Sequence, residues 1–271
     1  MSDPTPNPFA AYRMEGRVAV VTGAASGIGA ATAEVMAAAG ADVCCADIDP
    51  AGLAGTVAKV EAVGRRAIAV PTDVTRRAEV DALFATAVGE LGRVDAVCNI
   101  AGAMFPGRIE DLDDDTIERG IGLNLKGTIY GTQAAIRTMK GQGSGAIVNV
   151  SSGAIDLPYA GIGVYAFTKA AVAMLSMTAA LEAGEYGIRV NVIAPGMTVT
   201  PFTTWRLHKP DGTIDQDAYD EFMEYSKGMS PLGIVGEAMD QALLIQYLCS
   251  DAAKYATGQI FRVNGGQTWA W

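Results

Sequence analysis

The sequence is poor in positive charge, aromatic residues and histidine. Lysine and arginine number 20 against 30 aspartate and glutamate, so the formal net charge is −10 and the isoelectric point lies near 4.6. A chain of this sign repels phosphate backbones, and we therefore expect no nucleic-acid partner. His208 is the only histidine, and no ordinary metal site can be assembled from it and scattered carboxylates, so no metal is expected.

Cysteine is scarce as well, and long hydrophobic runs are missing. Cys44, Cys45, Cys98 and Cys249 have neither the number nor the spacing of a disulfide framework or a zinc site. A reduced, cytoplasmic protein fits this usage best. No uninterrupted apolar stretch reaches about 18 residues, so we expect no membrane-spanning helix and no membrane partner.

Strand-like and helix-like segments alternate along most of the chain. Strands are predicted at 18–22, 42–47, 67–71, 94–99, 145–150, 188–194 and 259–263. Helices are predicted at about 28–39, 51–63, 76–91, 113–138, 164–184 and 236–250. Several strands are continuous in Val, Ile, Ala or Cys, as is typical of parallel strands buried on both faces. The predicted fold is α/β, a doubly wound parallel seven-stranded sheet of Rossmann type with helices on both faces.

The first and last predicted strands and helices indicate where the domain is expected to begin and end. Residues 1–14 are rich in proline, lack the order of a signal peptide, and predict a flexible leader. Residues 15–271 are expected to form a single domain. The segment 197–236 reads as irregular, and about 199–235 carry aromatic and apolar side chains that predict a lid over a ligand. The same side chains fit equally well a segment that only packs on the core.

Glycine, in contrast, is abundant at 32 residues, and one cluster follows the first predicted strand. Residues 22–29 read Thr-Gly-Ala-Ala-Ser-Gly-Ile-Gly. In this position glycines permit a tight turn and a close approach to a pyrophosphate, and a helix N-terminus offers free N–H groups. The spacing departs from G-x-G-x-x-G, and an ordinary glycine-rich turn is the alternative. The cofactor contacts expected here are Gly23, Ser26, Gly27, Ile28 and Gly29.

Asp47 ends the second predicted strand and points to the identity of the cofactor. An acidic residue about 20 positions beyond the glycines accepts hydrogen bonds from an adenosine ribose and would repel a 2′-phosphate. Neither the glycine loop nor Ile48 supplies a cation to offset that repulsion, so NAD is predicted over NADP. Asp49 precedes Pro50 and is predicted to cap the next helix. A cap or turn role for Asp47 itself is the alternative.

Residues after the third and fourth strands are also expected at the cofactor. Asp73 and Val74 end the third strand and would meet the adenine. Asn99, Ala101 and Gly102 end the fourth, where small residues would let a flat cofactor lie close to the backbone.

A reactive pair is predicted on the fifth helix of this set. Tyr165 and Lys169 are four residues apart and share one helix face. A nearby ammonium lowers the pKa of a phenol towards the working range of an acid or base, although a simple surface pair is the alternative. Ser151 and Ser152 end the fifth strand, where a hydroxyl can bond to a reacting carbonyl oxygen or can merely cap a turn.

Taken together, these motifs resemble the short-chain dehydrogenase/reductase family, in its single-domain Tyr-x-x-x-Lys type. The resemblance covers residues 15–266, with matches at 22–29, 73–74, 99–102, Asn124, Ser152, 165–169 and 195–196. The family's usual spacing of thirteen positions before the tyrosine selects Ser152 over Ser151. Cys98-Asn99-Ile100 is a departure, because the family often has Asn-Asn-Ala there.

The resemblance implies an oxidoreductase that transfers a hydride between a secondary alcohol or ketone and the nicotinamide of NAD. Tyr165 would be the general acid/base, and Lys169 would lower its pKa and bind the nicotinamide ribose. Ser152 would orient the substrate oxygen, and Asn124 would hold a water in a proton relay. For Asn124, the residue pattern alone better fits a kinked or backbone-bonded helix position.

The resemblance also implies further cofactor contacts and an assembly. Pro195, Gly196, Thr198 and Thr200 match the loop that holds the carboxamide and pyrophosphate in this family. The family commonly forms tetramers, so a homotetramer is expected, with the C-terminal Trp269-Ala270-Trp271 at a subunit interface.

Two other functions are weighed against this one. A 3-oxoacyl thioester reductase acting on an acyl carrier protein would use the same residues, but it predicts NADPH and a basic docking patch that this acidic chain lacks. A catalytically inactive dinucleotide-sensing protein would be expected to have lost Tyr165 or Lys169, and both are present.

Overall fold

Parallel strands form the centre of the computed structural model, which describes residues 7–209 and 211–268. The strands are β1 (Val18–Thr22), β2 (Asp42–Asp47), β3 (Ala67–Pro71), β4 (Ala96–Asn99), β5 (Gly145–Val150), β6 (Ile188–Ile193), β7 (Thr198–Val199), β8 (Gly236–Glu237) and β9 (Ile260–Phe261). Seven of them form one parallel sheet in the order β3-β2-β1-β4-β5-β6-β9, and β7 pairs with β8. The predicted doubly wound, seven-stranded sheet is confirmed. The strands after β1 are added towards one edge of the sheet as far as β3, and those from β4 onwards are added towards the other edge. This switch between β1 and β4 creates a crevice beyond their carboxyl ends.

Helices cover both faces of this sheet and bury its apolar strands. They are α1 (Gly27–Ala38), α2 (Pro50–Ala62), α3 (Arg77–Leu91), α4 (Asp114–Gly120), α5 (Gly127–Met139), α6 (Gly163–Ala183), α7 (Pro201–Thr204), α8 (Gln216–Met229) and α9 (Ala238–Cys249). Side chains of α1, α2 and α9 form one buried cluster with the sheet, and side chains of α3, α5 and α6 form the other. Cys45 belongs to the first cluster and Cys44 to the second, as the alternation of side chains along a strand requires.

The helix predicted over 113–138 is present as continuous helical structure from Asp114 to Met139, but it is not a uniform α-helix. A π-helical turn at Ile121–Lys126 separates α4 from α5. Glycines border this turn, and at two of them a side chain has no room. A Cβ on Gly120 would lie 2.3 Å from Val164 Cγ1, and one on Gly127 would lie 2.9 Å from Val74 Cγ2. Hydrophobic periodicity does not distinguish a continuous helix from one that contains a single wider turn.

The segment 197–236, expected to be irregular, also contains regular structure. It holds β7, α7 and the 14-residue helix α8, whose first turn is capped by the side chain of Asp215. One face of α8 is partly buried, including Tyr219, Phe222 and Met229, and the opposite face is exposed. Of the aromatic residues that predicted a lid, Tyr219 and Phe222 lie on the inward face of this amphipathic helix, whereas Tyr225 is 64 % exposed.

The N-terminal residues differ from the loose leader that the sequence predicts. Pro8–Tyr12 form a 3₁₀ helix, and the Met14 side chain is fully buried in the core. The Tyr12 ring lies 6.0 Å from that of Tyr247 on α9. Burial of Met14 and these contacts hold residues 8–14 against the domain. Residues 1–6 of the predicted leader, and the C-terminal Trp269–Trp271, lie outside the described residues.

Helix α6 is unusually long and apolar. Together with the 3₁₀ turn that follows it, it spans Gly163–Tyr186 and meets the length and composition of a membrane span, in contrast to the sequence expectation. Half of its most apolar window is buried inside the protein. The helices at the centre of globular folds meet the same criterion, and α6 packs directly on β5 and β6.

Candidate active site

A cleft of about 1100 Å³ opens beyond the carboxyl ends of the central strands. Every predicted site residue lines it except Asn99 and Asn124. The lining set comprises Gly23, Ser26, Gly27, Ile28, Gly29, Asp47, Ile48, Asp73, Val74, Ala101, Gly102, Ser152, Tyr165, Lys169, Pro195, Gly196, Thr198 and Thr200. Positions spread over nearly 180 residues of sequence thus meet at one edge of the sheet, because parallel strands end on the same side.

The glycine loop brings the start of α1 to the floor of this cleft. Gly23 has a φ of +72°, and a Cβ on it would lie 2.9 Å from the backbone nitrogen of Ala101. A Cβ on Gly29 would lie 1.9 Å from the carbonyl oxygen of Gly23. The side chain of Ser26 makes no capping hydrogen bond to α1. The N–H groups of the first turn, the Ser26 hydroxyl and the positive end of the helix dipole together fit the pyrophosphate of a dinucleotide.

Asp47 joins the end of β2 to the glycine loop. Its Oδ2 accepts a hydrogen bond from Ala25 N at 3.1 Å, and its Oδ1 accepts one from Asp49 N at 3.0 Å. A carboxylate has further lone pairs, so these bonds leave capacity for ribose hydroxyls. Asp49 Oδ1 accepts from Ala51 N at 3.0 Å, which confirms the predicted cap of α2.

Positive charge is sparse in the part of the cleft near Asp47. Among the described residues that line it, the cations are Arg119 and Lys169, and neither follows β2. The side chain after Asp47 is Ile48, which is 73 % exposed. A 2′-phosphate at this position would therefore face a carboxylate without a compensating cation.

Tyr165 and Lys169 project from the first two turns of α6 into the cleft and are both buried. Lys169 Nζ donates a hydrogen bond to the carbonyl oxygen of Val150 at 2.9 Å and lies 5.7 Å from the centre of the Tyr165 ring. Ser151 Oγ donates to the carbonyl oxygen of Lys169 at 2.8 Å, whereas Ser152 Oγ accepts from Ala154 N at 3.1 Å. Ser151 thus ties β5 to α6, whereas the Ser152 hydroxyl lines the cleft beside Tyr165 and can donate a hydrogen bond there.

Burial controls the acid–base properties of this pair. It raises the pKa of Tyr165, against the smaller lowering effect of its hydrogen bond with Ser152. It lowers the pKa of Lys169 to about 8. In the protein without bound ligands, the pKa of Tyr165 is therefore raised, although Lys169 is expected to lower it. Desolvation of the phenolate outweighs the other contributions.

Asn124 lies behind the cleft wall in the π-helical turn and is fully buried. Its Oδ1 accepts from Ala103 N at 2.9 Å, and its Nδ2 donates to Ala103 O at 3.0 Å. A Cβ on Gly102 would lie 3.0 Å from Asn124 Oδ1 and 3.3 Å from Lys169 Nζ. The backbone-bonded alternative describes this side chain, which also lies next to Lys169; its part in a proton relay stays a prediction.

The side chain of Asn99 lies outside the cleft lining, and its contact with the cofactor stays a prediction. Its side chain is buried and points into the core, where Nδ2 donates to Asn149 Oδ1 at 2.8 Å. Asn149 in turn donates to Ser176 Oγ on α6 at 2.8 Å. A Cβ on Gly131 would lie 2.1 Å from Asn99 Oδ1, so the missing side chain of that glycine makes space for the amide. The role of Asn99 is to join β4, β5 and α5 beneath the cleft.

Several lining residues were missed at the sequence level. Met104, Phe105, Glu118, Arg119, Tyr159, Ile162, Gln267 and Thr268 line the cleft together with Phe202, Tyr225 and Met229 of the predicted lid. The Phe202 ring centre lies 5.8 Å from that of Tyr165, which places it beside the reactive pair. These positions follow no motif, and most of them lie in loops whose path depends on the folded core.

Comparison with known proteins identifies the family. The family model for short chain dehydrogenases matches residues 17–210. The 2,3-dihydro-2,3-dihydroxybenzoate dehydrogenase of Bacillus subtilis is 34 % identical over 94 % of this chain and 97 % of its own length. A 2,5-dichloro-2,5-cyclohexadiene-1,4-diol dehydrogenase of Sphingobium indicum is 36 % identical over 94 % of this chain and 98 % of its own.

A solved structure gives the same result. The structure of a 7α-hydroxysteroid dehydrogenase complexed with NADH and 7-oxo glycochenodeoxycholic acid matches with a TM-score of 0.88 and 31 % identity. The match covers 98 % of this chain and 99 % of that one. The chain therefore belongs to the short-chain dehydrogenase/reductase family of oxidoreductases.

Proposed function

We propose that this protein is an NAD-dependent dehydrogenase of cyclic secondary alcohols, able to reduce the corresponding ketones. The observation that carries the proposal is the meeting of Ser152, Tyr165 and Lys169 in one cleft whose other end is formed by the glycine loop and Asp47. A hydride-transfer enzyme needs the acid/base group and the dinucleotide site within one substrate length, and this cleft provides both.

The chemistry follows from three side chains of the cleft, Ser152, Tyr165 and Lys169. Bound NAD supplies the hydride acceptor. Ser152 Oγ donates a hydrogen bond to the substrate oxygen and holds it towards α6, while Tyr165 Oη takes the hydroxyl proton in oxidation and returns it in reduction. The Lys169 ammonium, anchored on Val150, favours the phenolate electrostatically and binds the ribose.

The cofactor preference rests on Asp47. Its remaining lone pairs accept ribose hydroxyls, and its charge repels a 2′-phosphate, because the described residues that line the cleft place no cation next to it. The NADH complex of the hydroxysteroid dehydrogenase, which shares this fold, agrees with the same choice.

The substrate class rests on the lining of the opposite end of the cleft. Met104, Phe105, Ile162, Phe202 and Met229 contribute apolar side chains to the cleft, and their aromatic rings suit a flat hydrocarbon ring. The Arg119 guanidinium also lines the cleft, 6.0 Å from the Phe105 ring. The relatives named above act, by their names, on a dihydroxylated dihydrobenzoate, a cyclohexadiene diol and a bile-acid steroid.

The proposal is tested by screening secondary alcohols with NAD and following NADH absorbance. Cyclohexanols, cyclic diols and hydroxysteroids should be oxidised faster than open-chain alcohols of equal carbon number. Failure of every cyclic alcohol and ketone, in both directions and with either dinucleotide, would refute it.

We also propose that the protein assembles as a homotetramer. Phe167, Met174 and Leu181 recur at seven-residue intervals on α6 and are 45 %, 62 % and 85 % exposed, which forms an apolar stripe that a second copy would cover. Light scattering coupled to gel filtration measures the mass directly.

A further inference from the structure

The wall of the cleft nearest Ser152 is formed by the C-terminal end of the described chain. Gln267 and Thr268 both line the cleft. A Cβ on Gly153, the residue after Ser152, would lie 3.9 Å from Thr268 Cγ2 and 3.3 Å from the carbonyl oxygen of Pro195. Thr268 thus lies next to the residue that follows the serine proposed to hold the substrate oxygen.

Few strand contacts anchor this segment. β9 has only two residues, Ile260 and Phe261, paired with β6. Beyond it, Gly265 and Gly266 have positive φ values of 59° and 83°, and the chain leaves the sheet. Beyond β9, one backbone hydrogen bond joins Gly196 N to Val263 O at 3.2 Å. The remaining anchors are side-chain contacts, among them hydrogen bonds from Gln241 Nε2 to Val263 O and from Ser230 Oγ to Gly265 O.

The strongest of these contacts is an ion pair between Asp156 and Arg262. Arg262 Nε lies 2.6 Å from Asp156 Oδ2, and Arg262 Nη2 lies 2.9 Å from Asp156 Oδ1. The two side chains are 8 % and 23 % exposed for Asp156 and Arg262. A two-point guanidinium–carboxylate contact that is largely shielded from water is both strong and directional. Asp156 follows the 3₁₀ turn that begins after Ser152, so the pair joins the C-terminal segment to the loop 152–156 that follows β5, called the serine loop below.

Further hydrogen bonds extend from this pair to the rest of the wall. Asn264 Nδ2 donates to Thr268 Oγ1 at 2.8 Å, and Thr268 Oγ1 lies 3.4 Å from Asp156 Oδ2. Gln267 Oε1 accepts from Met197 N at 2.8 Å, in the loop after β6. The wall is thereby connected on one side to the serine loop and on the other side to the loop after β6 that contains Met197.

We propose that Asp156 and Arg262 are positioning residues, which set the wall formed by Gln267 and Thr268 against the serine loop and so determine how the ring of the substrate is held. Neither residue of the pair lines the cleft. Its effect on the substrate passes through Thr268 and Gln267. The substrate part of this inference rests on the proposed function.

The first test compares Arg262→Ala with Arg137→Ala. Arg137 forms an ion pair with Asp81 on the outer surface, half exposed and away from the cleft lining, which makes it a matched control. Arg262→Ala should raise the KM for a cyclic alcohol about tenfold, with kcat and the Kd for NAD within about threefold of wild type. Arg262→Lys keeps the charge, so its KM should rise less than that of Arg262→Ala. The double variant Asp156→Arg with Arg262→Asp restores an ion pair, so its KM should rise less than that of either single variant.

A second measurement does not depend on turnover. Hydrogen exchange of a peptide covering 263–268 should be faster in Arg262→Ala than in wild type, because the Gly266 and Gln267 amides bond to Asn264. Exchange in the glycine loop should stay unchanged. If wild type oxidises no cyclic alcohol, the proposed function fails, and this comparison still decides whether the pair holds the wall.

Either of two results overturns the inference. One is an unchanged KM and unchanged exchange in Arg262→Ala relative to Arg137→Ala. The other is a parallel loss of NAD affinity, kcat and thermal stability, which would show that the pair supports the fold as a whole and does not position the substrate wall.

Discussion

The ammonium of Lys169 donates a hydrogen bond to the carbonyl oxygen of Val150, 2.9 Å away, and thereby fastens α6 to the end of β5. This contact keeps a buried cation in place next to Tyr165, in a site where burial disfavours charge on both groups.

Replacing Tyr165 by phenylalanine should remove the acid/base group and keep the ring. We expect alcohol oxidation to fall by about 10²- to 10⁴-fold, the range associated with a general acid or base. NAD affinity, measured by titration calorimetry, should change little. Tyr159→Phe is the control, because Tyr159 lines the same cleft outside the reactive pair; equal losses in the two variants would contradict the role of Tyr165.

The depressed pKa of Lys169 predicts how stability depends on pH. The folded value is about 8, below the ordinary value of 10.5, so the unfolded chain binds more protons between those two values. Stability contributed by this group therefore rises as pH rises through that window, by about 2 kcal/mol between pH 7.5 and 9.5. Urea unfolding at both values measures it. Lys169→Met should lose this rise, and a rise of equal size in the variant would show that another group causes it.

The proton transfer assigned to Tyr165 gives oxidation its own pH profile. Burial raises the pKa of the Tyr165 phenol, so the phenol stays protonated at neutral pH and the phenolate needed as base forms only towards alkaline pH. We expect kcat/KM for alcohol oxidation to increase with pH and that for ketone reduction to decrease. Initial rates between pH 6 and 10 would reveal this, and an oxidation rate that falls over the whole range would be inconsistent with a tyrosine base.

Changing Asp47 to serine should weaken the preference for NAD. Loss of the carboxylate removes both the ribose acceptor and the repulsion of a 2′-phosphate, so the ratio of NADP to NAD affinity should rise at least about tenfold. Asp49→Ala is the matched control. It removes the cap of α2 and should cost about 1 kcal/mol of stability without altering that ratio. A wild-type enzyme that binds NADP more tightly than NAD would refute the role of Asp47.

Much of the fold and the motif part of the site were predictable because local patterns determine them. The bounds of β1, β2, β3 and β5 agree with the predicted strands, since continuous runs of Val, Ala, Ile and Cys favour parallel strands. β1, β2 and β5 are buried, whereas the edge strand β3 is partly exposed. The glycine loop and the shared helix face of Tyr165 and Lys169 were predictable because residues a few positions apart determine them. The side-chain direction of Asn99 was not predictable, because it depends on Asn149 and on the space left by Gly131, neither of which is near it in sequence.

The sequence by itself determined which residues have the chemistry for hydride transfer and in what order they occur along the chain. Only the tertiary structure decided the rest. It turned the Asn99 amide into the core, inserted the π-helical turn around Asn124, and brought Thr268 beside the serine loop through the Asp156–Arg262 ion pair. These outcomes arise from contacts between segments distant in sequence, and such contacts exist only after the sheet and its helices have packed.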